Sequence, residues 1–429
     1  MALSIRILGA ASMLLSHVVL ARSLGVSGFG EYAQSIAWLQ ILCVLGKLGL
    51  DNTSLRYVSE YVTKGENGKL HGFFRNSMWA SYHASTLVAS TAIAVISIHW
   101  NAIGSSLATC LILASMMIPL LAMRQVQEAS LRGLGYLFES QISTAIWPLI
   151  LFALAGIVWS TTDTGMSSPV AMLLHFVSLA LVSGLVYYFI SRSQLRDEPQ
   201  TARVTCRRQW SNTALTFLVA ELLIGLKSRI CIALAGAFLG RDSAGLYAAM
   251  ERFADISVLG SQSLGLVIAP QFAALFAAGR FVEMRRLMWQ GQILGLAFTL
   301  PVALGVALFG DTIFVLLGSG YQAGWSVLMA LLLSACIASF AGPAAYVLQM
   351  TGREKTMLVI TGSCALTNVV LSLLLMWPWG ILGLGISQMA TSFVWMAGVR
   401  LSLRRHPAWQ NKTVQSPSIH RGVKSGETS

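Results

Sequence analysis

Long apolar runs separated by short polar segments are the dominant pattern of this 429-residue sequence. A helix that crosses a membrane needs about 20 mostly apolar residues, because each residue adds only about 1.5 Å along the helix axis. Runs of that length predict twelve membrane-spanning helices, with approximate limits at 5–24, 31–50, 77–98, 105–124, 140–159, 169–190, 212–238, 246–269, 289–309, 324–348, 357–377 and 380–400. The pattern therefore predicts an all-α protein that crosses a membrane many times.

An internal repeat organises these spans. The stretch 24–33 matches the stretch 239–248 at an offset of 215 residues, with five identical positions in ten. Such a repeat predicts two parallel six-helix halves around a central cleft, an arrangement known among membrane transporters. We expect a first lobe at 1–195, a cytoplasmic linker at 196–211 and a second lobe at 212–403.

The composition supports a membrane protein. Hydrophobic residues make up 55% of the chain and charged residues only 11%, whereas soluble domains carry about 25% charged residues. The net charge of +12 does not indicate nucleic-acid binding, because the basic residues are spread over short loops. The six cysteines occur singly, without metal-ligand spacing, so we predict no metal or other cofactor.

The distribution of lysine and arginine predicts the orientation in the membrane. Basic residues are concentrated in the segments that follow the even-numbered spans, and only Arg22 and Arg241 fall in the opposite set of loops. Loops rich in Lys and Arg stay on the cytoplasmic side, so both termini are predicted to be cytoplasmic. The polar tail 404–429 is predicted to be disordered.

Ionisable residues inside the predicted spans are concentrated in the seventh and eighth spans. Each such group costs at least about 2.5–3.5 kcal/mol in the bilayer, so it faces protein or water and is a candidate functional residue. The candidates for binding an anionic head group are Arg22, Lys227, Arg229 and Arg252, and the candidates for ion coupling are Glu221 and Asp255. Two alternatives stay open: Arg252 and Asp255 pair locally, or Arg22 extends to the membrane interface.

No catalytic set of side chains is recognisable in the sequence. A membrane enzyme such as a polymerase or acyltransferase would need a nucleophile with a base, or a pair of acids, on one face. The sequence has no such combination, and no outward loop exceeds about a dozen residues, which is short for a separate domain. We therefore expect a protein that is not an enzyme.

Several short motifs lie at the end of the first span, around the second span and in the later part of the chain. They are Ala21-Arg22-Ser23-Leu24-Gly25, Gly28-Phe29-Gly30-Glu31-Tyr32, Gly49-Leu50-Asp51 with Leu55-Arg56, Gly245-Leu246-Tyr247 and Thr351-Gly352-Arg353. These motifs resemble those of the bacterial polysaccharide-biosynthesis flippases of the O-antigen type, in the MOP (multidrug/oligosaccharidyl-lipid/polysaccharide) superfamily. The resemblance covers the whole chain in length, topology and repeat.

The resemblance implies a substrate class. Such proteins carry an undecaprenyl-pyrophosphate-linked oligosaccharide from the inner to the outer leaflet of the bacterial inner membrane, by alternating access, for O-antigen, exopolysaccharide or capsule. It implies membrane lipids, a polysaccharide polymerase and glycosyltransferases as partners. Arg22 falls on the family's arginine at the end of the first helix. Relatives that carry a peptidoglycan precursor have a second arginine about two turns earlier, where this chain has Ser16 and His17.

One alternative function comes from the same superfamily. A MATE-type multidrug or cation antiporter would share the fold, but it would be expected to prefer acidic over basic residues in its cavity. The seventh and eighth spans contain three acids and three bases, so their charges alone leave both functions open.

Overall fold

The computed structural model describes residues 2–161, 166–193, 206–318 and 320–405. These residues form helices and short connections, and none of them lies in a strand. The helices are α1 (Ala2–Lys47), α2 (Leu50–Lys64), α3 (Asn67–Ile98), α4 (Trp100–Ile103), α5 (Ser105–Gly133), α6 (Leu137–Thr161), α7 (Ser168–Ser191), α8 (Arg207–Leu234), α9 (Arg241–Ala277), α10 (Phe281–Leu308), α11 (Gly310–Leu317), α12 (Trp325–Met350) and α13 (Glu354–Arg404). A π-helical turn, Ala235–Leu239, extends α8, and a 3₁₀ turn, Tyr321–Gly324, precedes α12.

Each predicted span overlaps one of these helices, and several helices continue five to ten residues beyond the predicted limits, as α3, α5 and α10 do. Nine helices in the described part of the chain are long and apolar enough to cross a membrane. Two of them, α1 and α13, contain two predicted spans each, because the chain bends inside them at Gly25 and Gly380. The polytopic all-α fold predicted from the sequence is confirmed.

The amphipathic helix α2 was not predicted. Its buried side chains include Leu50, Tyr57 and Tyr61, whereas Arg56 and Lys64 are exposed. The polar half of this helix lowers its mean hydropathy below that of a span, so a search for long apolar runs passes over it. The short helix α11 was missed because eight residues cannot cross a bilayer.

The predicted linker and tail lie mostly outside the described residues. Of the linker 196–211, the part 196–205 is outside them, and α8 begins at Arg207, so the end of this segment is helical. Of the predicted tail, 406–429 is outside them. The limits of the two lobes stay predictions.

Helix packing divides the described chain into two halves. Helices α1, α3, α5, α6 and α7 pack against one another, and so do α8, α9, α10, α12 and α13. The halves meet where α1 packs against α8 and α9, and where α2 contacts α8. We call the side that carries the bends at Gly25 and Gly240 the hinge face, and the opposite side, with α2 and the start of α8, the terminal face.

The two bends on the hinge face have the same backbone conformation. Gly25 has φ 67° and ψ −179°, and Gly240 has φ 93° and ψ 172°. Side chains other than hydrogen disfavour this positive φ, so glycine is required at both positions. The two glycines are 215 residues apart, so the sequence repeat is also a repeat of structure.

One turn beyond each bend, the two halves cross at a pair of glycines. A Cβ atom added to Gly30 would meet the carbonyl oxygen of Arg241, and one added to Gly245 would meet the carbonyl oxygen of Val26. The contact is reciprocal, because Gly30 and Gly245 are equivalent in the repeat, as are Val26 and Arg241. Backbone therefore packs directly on backbone at the hinge face.

A buried ion pair closes the hinge face beside this crossing. The Arg241 guanidinium donates to the carboxylate of Glu31, whose side chain is only 5% exposed. Ser106 donates a second hydrogen bond to Glu31 at 2.5 Å, and the Tyr321 hydroxyl donates to the carbonyl oxygen of Ala21 at 3.3 Å. These bonds satisfy the buried carboxylate and connect residues from both halves.

Apolar packing joins the halves at both faces. Near the hinge face, one continuous core includes Phe29 of the first half and Tyr247 and Tyr321 of the second. At the terminal face, Trp210 of α8 is buried among aromatic residues of α2 and α3, and its indole N–H donates to the Tyr61 hydroxyl at 2.8 Å. The halves are thus in contact at both the hinge face and the terminal face.

Replacing Gly245 by Ala is expected to destabilise the protein by about 1–3 kcal/mol, the range for overpacked positions. The added methyl group would meet the carbonyl oxygen of Val26 across the interface. Thermal unfolding of the purified protein in detergent measures the loss. The control is Gly156→Ala in α6, where nothing lies within 4 Å of the added carbon, so this change should be neutral or slightly stabilising. Equal stability of the two variants would contradict the close crossing.

Candidate anion-binding cavity

A cavity of about 360 Å³, the central cavity, lies where α1, α5, α6 and α7 of the first half face α8 of the second. Three cationic side chains line it: Lys47, Arg124 and Arg229. Gln40 and Gln125 add amide groups to the lining. Of the described residues that line this cavity, none is an Asp or a Glu. The lining is therefore positively charged.

The two arginines are held by carboxylates that are not part of the lining. Arg124 donates to Glu128 at 2.9 Å, one helical turn away, and Arg229 of α8 donates to Glu251 of α9 at 3.4 Å. An isolated charge within a membrane protein is costly, and a nearby opposite charge offsets much of that cost. The pairs thus stabilise the two arginines. The charged side chains among the described lining residues are nevertheless all positive.

The third cation, Lys47, connects the two halves. Its ammonium lies 2.5 Å from Asp51 of α2 and 2.8 Å from Glu221 of α8. Asn52 also donates to Glu221, and Gly49 lies directly against the carbonyl oxygen of a residue of α8, Ala214. We call the set Lys47, Asp51 and Glu221 the latch. It holds the halves together on the terminal side of the central cavity.

Two buried donors of the lining residues have no hydrogen-bond acceptor among the described residues. They are the Nε of Arg124 and the indole Nε1 of Trp147. A buried donor without an acceptor costs about 1–3 kcal/mol. Both side chains line the central cavity, so a ligand rich in acceptor oxygens would complement them.

A smaller pocket, the hinge-side pocket, adjoins the central cavity and shares Gln40 and Arg229 with it. Arg252 and Tyr32 also line this pocket, whose volume of about 10 Å³ is that of roughly one water molecule. Arg252 donates to Asp255 at 3.4 Å on the same helix. The pocket extends the positive lining from the central cavity towards the hinge face.

The residues predicted from the sequence fall at different places. Arg229 lines both spaces, and Arg252 lines the hinge-side pocket. Lys227 lies in α8, but its side chain is outside the described part of the structure. Arg22 is exposed, with its guanidinium 5.9 Å from the ring centre of Trp159, and it lines neither space. The structure therefore brings Arg229 and Arg252 together, but not Arg22.

The two acids predicted as ion-coupling candidates are both paired. Glu221 belongs to the latch. Asp255 pairs with Arg252 on the same helix, which is one of the two alternatives left open by the sequence. The side chain of Asp255 is 55% exposed, whereas that of Glu221 is 14% exposed. Ion coupling by either residue stays a prediction.

Sequence reasoning missed two of the three cations of the central cavity. Lys47 and Arg124 lie at the ends of predicted spans, where basic residues usually mark topology. A signal was present for each, because both have an acid four residues later in the sequence, close enough to pair. A basic residue with such a nearby acid can be buried at the end of a span.

The sequence pattern of the family described as polysaccharide biosynthesis protein matches residues 3–276, more than half of the chain. The chain belongs to this family. The MatE family also matches this polysaccharide biosynthesis protein, over residues 216–374. No curated protein matches it.

Solved structures of MOP-superfamily proteins share its fold. An inward-facing multidrug resistance transporter of the MATE family superposes with a TM-score of 0.76 at 12% identity, over 94% of this chain and 96% of the other. The lipid II flippase MurJ, in an inward closed conformation, superposes with a TM-score of 0.69 at 13% identity, over 93% and 86%. A MOP-superfamily transporter from Pyrococcus furiosus gives 0.62 at 14% identity, over 94% and 96%. The chain thus shares the fold of these MOP-superfamily proteins, and its family confirms the resemblance seen in its motifs.

Replacing Glu221 by Gln is expected to loosen the terminal face, because Lys47 then loses its charged partner in the opposite half. The contact is partly buried, so its loss should exceed the roughly 0.2–1 kcal/mol of an exposed pair. Electron–electron distances between spin labels at Ser59 and Ser211, both exposed, would show a broader and longer distribution. The control is Glu60→Gln, which removes an exposed pair with Lys64 within α2. An unchanged distribution for Glu221→Gln would show that the latch does not hold the halves.

Proposed function

We propose that this polysaccharide biosynthesis protein is a flippase for an undecaprenyl-pyrophosphate-linked oligosaccharide. The observation that supports the proposal is the lining of the central cavity, with three cations and no acid among its described residues. A pyrophosphate brings two or more negative charges into a region shielded from water, where it must meet fixed positive charge. The family assignment supports a glycan as the group that this lipid carries.

The three cations would divide the binding of the pyrophosphate between them. Arg124 and Arg229 present planar forks that can grip phosphate oxygens with paired hydrogen bonds. Lys47 adds a compact charge on the side of the latch. Arg252 would extend the positive path towards the hinge face, and Lys227 and Arg22 stay predicted contacts.

Transport would proceed by alternating access, with the head group in the cleft and the lipid tail in the bilayer. In the described conformation the hinge face is closed by the Gly30–Gly245 crossing and by the ion pair of Glu31 and Arg241. Release on that side requires these contacts to separate. The lobes at 1–195 and 212–403 would rock as units, with 196–211 as the connection.

The proposal includes a cellular setting. We place the protein in the bacterial inner membrane with both termini in the cytoplasm, as the distribution of Lys and Arg predicts. The lipid-linked unit would come from glycosyltransferases on the cytoplasmic side and pass to a polymerase on the other. The product would be an O-antigen, an exopolysaccharide or a capsule.

The alternative is a MATE-type multidrug or cation antiporter. A cavity that binds cationic drugs is expected to be lined by acids, because unpaired positive charges on the protein would repel the ligand. Here the acids Glu128 and Glu251 lie behind the arginines and not in the described lining. The lining therefore favours an anionic substrate.

Replacing Arg229 by Gln is expected to reduce transport by about 10- to 100-fold, since hydrogen bonds to charged groups contribute about 1.5–3 kcal/mol. Arg229→Lys keeps the charge but loses the fork, so it should fall between Gln and the native protein. The measurements are surface polysaccharide and accumulated lipid-linked units in a deletion strain that carries each variant, at matched amounts of protein in the membrane.

A paired variant separates lost binding from an unpaired acid. Arg124→Gln with Glu128→Gln removes the cation of the cavity and its partner together, and it should reduce transport to a similar extent. The matched control is Lys64→Gln with Glu60→Gln, which has the same spacing on the exposed face of α2. If the Arg229 and Arg124 variants reach the membrane normally and display full-length polysaccharide, the cationic cavity is not the substrate site.

A further inference from the structure

A second concave surface lies at the terminal face, along the line where the halves meet. It is a groove of about 400 Å³, which we call the seam groove. Leu48 and Ala80 belong to its wall in the first half, and Leu215 and Leu218 form its wall in α8. Arg207, the first residue of α8, is exposed at its terminal-face end. The groove is thus apolar along its walls and cationic at its outer end.

Helix α8 passes from the seam groove to the latch and then to the central cavity. Arg207 and Leu218 line the groove, Glu221 belongs to the latch, and Arg229 lines the cavity. At about 1.5 Å per residue, the groove extends over about 16 Å of the helix, and the latch begins about 5 Å further on. In the first half, Lys47 lines the cavity and the next residue, Leu48, lines the groove. The latch and the packing of Gly49 against α8 lie between the two spaces.

We propose that the seam groove is a binding site for the hydrocarbon chain of the lipid-linked diphosphate, next to its phosphate group. The diphosphate would move from the groove into the central cavity by replacing Glu221 as the ionic partner of Lys47. This inference rests on the proposed function, because it assumes that the central cavity binds the same diphosphate.

The chemistry of the groove fits an anionic lipid. Its walls are apolar and lie within or beside membrane-spanning segments, and Leu215 is 60% exposed, so a hydrocarbon chain can lie against them. Arg207 lines its outer end, and Lys47, next to the lining residue Leu48, lies beyond its inner end in contact with Asp51 and Glu221. A diphosphate would meet Arg207 at the membrane surface and then Lys47 at the inner end. A hydrocarbon chain without an anionic group would gain no electrostatic binding energy from Arg207 or Lys47.

The latch gives the lipid a means to open its own path. Lys47 is shared between Asp51 in its own half and Glu221 in the other, at 2.5 Å and 2.8 Å. A diphosphate carries more negative charge than one carboxylate, so it competes with Glu221 for the ammonium. When Glu221 is displaced, Asn52 remains as its hydrogen-bond donor, and the ion pair between the halves is broken. Binding of the lipid would thereby weaken the contact between the halves at the terminal face, where the hydrogen bond from Asn52 of α2 to Glu221 of α8 remains.

The test compares two ligands on the purified full-length protein in nanodiscs: undecaprenyl diphosphate and inorganic pyrophosphate. Leu215→Trp fills the groove, and it should weaken binding of undecaprenyl diphosphate by about tenfold or more, because the loss of about 60 Å² of apolar contact corresponds to that factor. Binding of pyrophosphate should not change. The matched control is Leu300→Trp on α10, an exposed leucine outside the groove, which should change neither.

The outcomes distinguish this proposal from the proposed function. If Leu215→Trp binds undecaprenyl diphosphate as the native protein does, the groove is not the chain site, while the cationic cavity stands. Phosphatidylglycerol serves as a third ligand. If Leu215→Trp weakens its binding as much as the binding of undecaprenyl diphosphate, the groove binds any anionic lipid and the proposal is wrong. If the native protein binds neither diphosphate, the proposed function itself fails.

A second variant tests the competition at the latch. Glu221→Gln should strengthen binding of inorganic pyrophosphate several-fold, because Lys47 no longer has to be taken from a carboxylate in the other half. Glu60→Gln, which alters an exposed pair on α2, should leave the affinity unchanged. Weaker binding by Glu221→Gln would overturn the competition, because it would mean that Glu221 supports the anion site and does not compete for it.

Discussion

The reciprocal crossing of Gly30 and Gly245 is the contact on which the arrangement of the two halves depends. Backbone meets backbone there, so the distance between the halves is fixed by the absence of two side chains. From the bend at Gly25 the helix runs unbroken to Lys47, 22 residues and about 33 Å away. A rotation of about 10° at this bend would therefore move Lys47 by about 6 Å. Small movements at the hinge face become large ones at the latch.

Electrostatics then decide what the space between the halves can bind. Membrane proteins retain buried charges only where a partner offsets their desolvation. Here the partners of Arg124 and Arg229 lie outside the lining of the cavity, so the charges are balanced overall while the cavity is positive locally. A ligand that enters has to compete with these carboxylates, and this keeps the binding of an anion reversible. A transported substrate must be released as well as bound.

The sequence was sufficient for the membrane-spanning helices, but only partly for the site. The length needed to cross a bilayer is a strong constraint, so apolar runs located the spans. Arg229 stands out because it lies within such a run, whereas Lys47 and Arg124 lie at the ends of runs, where basic residues usually mark topology. Arg22 matches a family motif, but a motif does not specify which way a side chain faces, and this one lies beside Trp159 at the protein surface. The convergence of cations from α1, α5 and α8 on one cavity is a tertiary property that local patterns do not contain.

The symmetry of the crossing also bears on how such a protein arose. In a two-fold dimer of identical subunits, residue i of one copy contacts residue j of the other, and j contacts i. The contacts of Gly30 with Arg241 and of Gly245 with Val26 have this form once the 215-residue offset is removed. A six-helix ancestor with one such glycine would therefore have carried a self-complementary surface before its gene was duplicated. Fusion of two such copies would allow the halves to diverge, as at the ion pair beside the crossing, which joins an acid in one half to a base in the other.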